Sequence, residues 1–451
     1  MSPRDRGDTG ADPYVPQRGN EGYTAGHYDL EIDYRVSSNR LTGKARITAT
    51  ATQALSRFSL DLAGLRVGKV SVDGRRPARY AHRGEKLQIW PAKDLAPGNE
   101  FTVEIQYGGN PAPVDSTWGD VGWEELTEGV LVAGQPCGAP TWFPCDDHPA
   151  AKASYRISVT TDSPYHVVAN GRLVSRRRRA SRTTWVFEQA APMATYLATV
   201  QIGRYEEVEL ASSPVAIRAA LPAGVARVFR QDFARQQEMM RLFVKLFGPY
   251  PFGSYTVVVT EDPLEIPLEA QGISVFGSNH VDGRRGSERL VAHELAHQWF
   301  GNSLTPAAWR DIWLNEGFAC YAEWLWSENS GGLSAQRQVA QAHAKLARLP
   351  QDLVISDPGP KDMFDDRLYK RGAITLHAVR LRLGDDAFFD LVRTWTRRYR
   401  HGTVGTTAFT ELATSYGDVA TLLTAWLHAP GLPGLPGTPG GLGKARRRPQ
   451  A

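Results

Sequence analysis

VAHELAHQWFGN, residues 291–302, places two histidines four residues apart with a glutamate beside the first. The run from Ser287 to Phe300 reads as a helix, and Gly301 stands where a chain leaving a helix turns into left-handed backbone. On a helix, positions i and i+4 lie about 40° apart around the axis, so His293 and His297 project from one face. Two imidazoles so placed can reach one Zn²⁺ through nitrogens at about 2.0–2.1 Å. The Glu294 carboxylate is placed to accept a proton from a water on that metal. Taken alone, the pentapeptide also fits a surface helix with two partly exposed histidines.

A catalytic zinc site needs a third protein ligand and one position open to water. Glu316 follows His297 by 19 residues, inside WLNEGFACYAEW (313–324), itself a helical pattern. A helix–loop–helix of that length can fold back and set Glu316 against both imidazoles. Glu323 lies seven residues further on, on the same helix face. It is a candidate partner for a metal ligand; a solvated helix face explains it equally well.

Working outward, Tyr23 to Tyr205 reads as short strands separated by turns. Tyr28, Leu30, Ile32 and Tyr34 alternate with other residues at period two. Asn170-Gly171 between YHVVA and RLVS predicts a two-residue hairpin, and Arg176–Arg179 predict another hairpin tip. From about Glu206 the period changes. Val225 to Phe247 predicts a helix, Tyr255 to Thr260 a buried strand, and Glu316–Glu328 and Leu368–Leu383 further helices. The fold class expected is α+β: an all-β domain over 23–205, then an α-rich domain over 206–428 entered through a small sheet. Residues 1–22 read as a disordered leader, and 429–451, with its Gly-X-Pro triplets and basic end, as a flexible tail.

Composition narrows the classes. The chain has 451 residues, 52 Lys+Arg against 48 Asp+Glu, 42% hydrophobic and 22% charged residues. These are globular values, and a net charge of +4 is too weak to imply nucleic acid. No run approaches the length of a membrane span, and the N-terminus lacks the apolar core of a secretory signal. Three cysteines, Cys137, Cys145 and Cys320, fit a reducing compartment, so a cytoplasmic location is expected.

HELAHQWFGN followed by WLNEGFACYAEW resembles the aminopeptidase N family, zinc metallopeptidases that also include leukotriene hydrolase. Other segments keep the family's order: GQPCGAPTWFPCDDHPAAKASYRISV, PMATYLATVQIGRYEEV, LEIPLEAQGISVFG and RLYKRGAITLH are each similar to a family segment. The resemblance runs from about Tyr23 to His428. It implies an N-terminal saddle-like β domain before a thermolysin-like α/β zinc domain, with one Zn²⁺ per chain held by His293, His297 and Glu316. It implies Glu294 as catalytic base and Tyr369 as stabiliser of the oxyanion. It further implies that Glu269 and Gln135 bind the free α-amine of a peptide substrate. The chain departs from the family at I-P-L-E-A (266–270), where G-x-M-E-N is usual; Ala270 replaces an Asn, and Arg371 a Lys. Cys137 stands where the family often has a Glu or an amide. The long C-terminal helical domain of many members is not present in the sequence, so a more open cleft is expected.

The function expected is a zinc aminopeptidase acting on peptides with a free N-terminus, without nucleic-acid partners; the oligomeric state is not legible. A zinc endopeptidase or another small-substrate hydrolase with an open cleft is the alternative within enzymes. A non-catalytic interaction protein on the same fold is the alternative outside them.

Overall fold

The computed structural model describes residues 10–436, which form two compact units. The first comprises the chain up to Gln237 together with Tyr250–Glu288; the second comprises Glu238–Pro249 and the chain from Arg289 onward.

The first unit is built on sheets. Seven strands run in the order Arg172–Arg179, Arg182–Ala194, Lys152–Asp162, Tyr23–Arg35, Arg40–Ala51, Glu100–Gly109 and Arg66–Val72. Along Tyr23–Arg35 the alternation expected from sequence is present: Tyr28, Leu30, Ile32 and Tyr34 are buried and the intervening residues are not. A five-stranded sheet includes Gly129–Ala133, His166–Ala169 and Val200–Gly203. A second five-stranded sheet runs Tyr205–Ala211, Ala216–Pro222, Ser254–Val259, Ile273–Phe276 and Leu268–Ala270, the last at its edge. Leu131 and Val168 from the former share one apolar cluster with Val258, Ala270 and Ile273 from the latter. The two sheets thus share an apolar cluster within the first unit.

Three local expectations need correction. Asn170-Gly171 does not close a hairpin: His166–Ala169 pairs with Val200–Gly203, and Arg172–Arg179 pairs with Arg182–Ala194. The Asn170 side chain is buried and donates to the carbonyls of Leu197 and Gln271, so the pair marks a crossing between sheets. The predicted helix over 225–247 is two helices, α1 (Ala226–Asp232) and α2 (Gln236–Phe247). At the break, the Asp232 carboxylate accepts from the Gly283 and Arg285 backbone amides. The leader is not disordered throughout. Asp12, Arg18 and Asn20 are buried; Arg18 pairs with Glu85 at 2.6 Å, and Asn20 donates to Asp61 and Asp146. Composition misses this because the partners lie tens of residues away in sequence. Residues 1–9 of the leader lie outside the described residues.

The second unit is helical: α3 (Glu288–His297, entering it at Arg289), α4 (Trp313–Asn329), α5 (Ala335–Leu346), α6 (Asp366–Leu383), α7 (Asp385–Arg398), α8 (Thr406–Tyr416) and α9 (Ala420–Leu427). Helix α4 is buried all round from Trp313 to Trp326, as expected of a central helix rather than an amphipathic surface one. It crosses α6 at Gly317 and Gly372, where a Cβ on Gly317 would come within 3.0 Å of the Gly372 backbone. The tail expectation is corrected in part: the carbonyls of Ala429, Pro430 and Gly431 accept from Arg371, and that of Pro433 lies 2.7 Å from His343 Nε2. Residues 437–451 lie outside the described residues. No described helix is long and apolar enough to cross a membrane.

Candidate metal centre

Helix α3 carries His293, Glu294 and His297, all buried. The helix proper ends at His297, and Gln298–Phe300 continue as a tight turn closed by Gly301 at φ 110°. That turn returns the Phe300 carbonyl to within 3.0 Å of His297 Nδ1. A side chain on Gly301 would be strained and would crowd the same nitrogen, 3.2 Å from its Cβ.

Helix α4 brings Glu316 alongside. Its Oε2 lies 3.5 Å from Nε2 of His293 and 3.5 Å from Nε2 of His297. Seven residues on, Glu323 Oε1 lies 2.7 Å from Nδ1 of His293. A carboxylate and a carbonyl only accept, so both Nδ1 atoms donate and both Nε2 atoms face Glu316.

The electrostatics describe the same convergence. Burial alone would raise Glu316, but His297 and then His293 bring it to about 2. Burial pushes His293 down, yet its bonds to Glu316 and Glu323 lift it to about 9. Burial also acts to raise Glu323, and the bond to His293 leads the effects that bring it below the usual carboxylate range. Two imidazoles and a carboxylate, with ligand atoms all within 4.8 Å of one another, thus converge on one point. That donor set suits a borderline-soft dication better than a proton.

Tyr369, on α6, stacks its ring parallel to that of His293, at 6.1 Å between centroids and 14° between planes. The structure therefore brings His293, Glu294, His297, Glu316, Glu323 and Tyr369 together in the second unit. Gln135 and Glu269 belong to the first. Glu269 sits on the edge strand Leu268–Ala270, opposite Ser274. Gln135 lies in the loop closed by the Gly138 amide donating to the Gly134 carbonyl; its own amide nitrogen is buried without a hydrogen-bond partner.

Sequence reading missed Arg289, whose guanidinium donates to Glu323 Oε1 at 2.9 Å. The signal was available, since Arg289 and His293 are four apart on one helix face. It also missed the Phe300 carbonyl, which no side-chain pattern announces.

Two histidines one helical turn apart, a glutamate from a second helix and a carboxylate next to the first histidine are a residue set able to hold one metal ion. Comparison with known proteins makes the class specific. The Peptidase family M1 domain matches residues 232–426, and the Peptidase M1 N-terminal domain matches residues 24–197. A mutant of an M1 zinc metallopeptidase from Deinococcus radiodurans, bound to a Tyr-Ser-Ala substrate, superposes with a TM-score of 0.86 at 30% identity, covering 94% of this chain and 98% of that one. "Probable aminopeptidase 1" of Sulfurisphaera tokodaii is 24% identical over 437 residues, 90% of this chain and 53% of its own length. "Leucyl aminopeptidase" of Saccharolobus solfataricus is 24% identical over 431 residues, with the same coverages. The chain thus spans about half the length of these curated relatives. It belongs to peptidase family M1, and zinc is the cofactor its donor set fits.

Proposed function

We propose that the protein is a zinc aminopeptidase that removes the N-terminal residue from peptides. The observation that carries this reading is the buried trio His293, His297 and Glu316, with both Nδ1 atoms tied back and both Nε2 atoms aimed at one point. One zinc ion per chain, held by these three residues, supplies a Lewis acid for the scissile carbonyl and lowers the pKa of water toward 7. Glu294 takes the proton from the attacking water at its carboxylate and returns it to the leaving amine. Tyr369 offers its phenol O–H to the negative charge developing on the carbonyl oxygen. Glu323 holds His293 in the tautomer that leaves Nε2 free.

Glu269 and Gln135 receive the substrate's α-ammonium, which fixes cleavage one residue in. The relative from Deinococcus radiodurans is described with a tripeptide substrate bound, which supports peptides as the substrate class. The domains that go with this reading are an N-terminal β domain over 23–205 and a thermolysin-like catalytic domain over 206–428. The cytoplasm is the compartment proposed, supported by three buried cysteines, none in a disulfide.

The test compares kcat/KM for one peptide with a free and an acetylated N-terminus. If Glu269 pairs with the ammonium, acetylation lowers kcat/KM about 30-fold or more, the loss expected for a charge-assisted bond. Glu269→Ala then loses most of its rate on the free peptide and little on the blocked one. Equal cleavage of both peptides by wild type would remove Glu269 as amine anchor and put the endopeptidase first.

A further inference from the structure

We propose that Arg289 is a positioning residue for zinc: it locks the Glu323 carboxylate against His293 and so tightens metal binding without touching the metal. This rests on the zinc site described above. Arg289 and His293 are one turn apart on α3, and both meet the same atom, Glu323 Oε1, at 2.9 and 2.7 Å. The second oxygen, Oε2, is buried without a hydrogen-bond partner. Every hydrogen bond of this carboxylate therefore falls on Oε1, and both donors come from one helix face. A carboxylate held at a single oxygen by one donor is restrained about its last bond by that one hydrogen bond alone. Two donors from a rigid helix stop that rotation and hold Oε1 where His293 Nδ1–H points.

The Glu323 side chain is only 2% exposed, whereas that of Arg289 is 58% exposed. Arg289 thus joins a buried acid to the protein surface. Lys370 also contributes charge to Glu323, but its ammonium donates to Cys320 Sγ at 3.4 Å and pairs with Asp366 at 3.6 Å. Among the described residues, Arg289 and His293 are therefore the side chains that hydrogen-bond Glu323.

The sign of the effect separates this role from simple electrostatics. A cation near a dication site repels the metal, so by Coulomb's law alone its removal tightens zinc binding. Positioning demands the opposite. Zinc affinity is measured by competition with a chromogenic chelator for wild type, Arg289→Met, Arg289→Lys, Glu323→Gln and the double variant Arg289→Met/Glu323→Gln.

Arg289→Met is expected to weaken zinc about tenfold, the lower end of the loss seen when a ligand's supporting partner is removed. Arg289→Lys, which keeps one donor, recovers part of it. In the Glu323→Gln background, Arg289→Met adds nothing further, because the group it acts through has changed. Unchanged or tighter zinc binding in Arg289→Met overturns the proposal, and so does a full additional loss in the Glu323→Gln background. A wild-type chain that binds no zinc is a different result, and it overturns the site itself.

Discussion

His293 and His297 each commit Nδ1 to an acceptor, the Glu323 carboxylate for one and the Phe300 carbonyl for the other. Glu294, next to His293 in sequence, is the residue proposed above to take the proton. Replacing it by Gln keeps the shape and removes the acceptor. Glu294→Gln should retain about one zinc per chain by metal analysis while turnover falls by about 10²–10⁴; turnover within threefold of wild type would exclude it as the base. A second residue-scale expectation concerns Asp146 in the first unit. Burial, with Asp61 nearby, lifts it to about 8, and burial lifts Asp147 to about 7 against the pull of Arg18. The folded chain thus keeps protons that the unfolded chain releases near pH 4. For a raised acid the stability is full below the unfolded pKa and is lost as pH rises toward the folded value. Melting temperature should therefore fall between about pH 5 and about pH 8, and Asp146→Asn should flatten that fall. An equal slope in both proteins would show that Asp146 is ionised throughout.

At the scale of elements, α6 does two jobs within two residues. Tyr369 faces the ring of His293, and Arg371 turns to the end of α9. The Arg371 guanidinium is buried and donates to the carbonyls of Leu353, Ala425, Trp426, Ala429, Pro430 and Gly431. These include the last carbonyls of α9, which have no partner inside the helix. Burial pushes Arg371 down to about 10. The Lys usual at this position in the family offers fewer donors in a less fixed geometry. Arg371→Met leaves several buried carbonyls without a donor, at about 1–3 kcal/mol each, so the total loss should reach about 3 kcal/mol or more in chemical denaturation. A loss below about 1 kcal/mol would mean that water takes over the carbonyls. The sequence marked Arg371 only as a departure from a family pattern. Its partners lie up to 60 residues away, in a stretch whose composition reads as flexible tail.

For the molecule as a whole, metal binding and folding are linked. The three proposed ligands come from two helices and converge only in the folded chain, so zinc held by them would bind the native state in preference to the unfolded one and stabilise it by mass action. Chelation should lower the melting temperature, and added zinc should restore it. His297→Ala should melt at one temperature with or without zinc. A wild-type protein indifferent to chelation would argue that the trio is a hydrogen-bonded core cluster and not a metal centre.

Periodicities and spacings carried much of this protein in the sequence alone. Period two over Tyr28–Tyr34 is local, because neighbouring residues determine which face of a strand is apolar. The i, i+4 pair at 293 and 297 is equally local: one turn of helix aims both rings the same way. Glu316 was legible as a candidate partner of the two histidines, and the structure places it 3.5 Å from both. What remained hidden depends on groups far apart in the chain. Arg18 under Glu85, Asn170 between two sheets and Arg371 on the end of α9 are each decided by which distant backbone or carboxylate comes to rest beside them. Buried polar groups need partners whatever the local pattern, and only the tertiary structure supplies those partners.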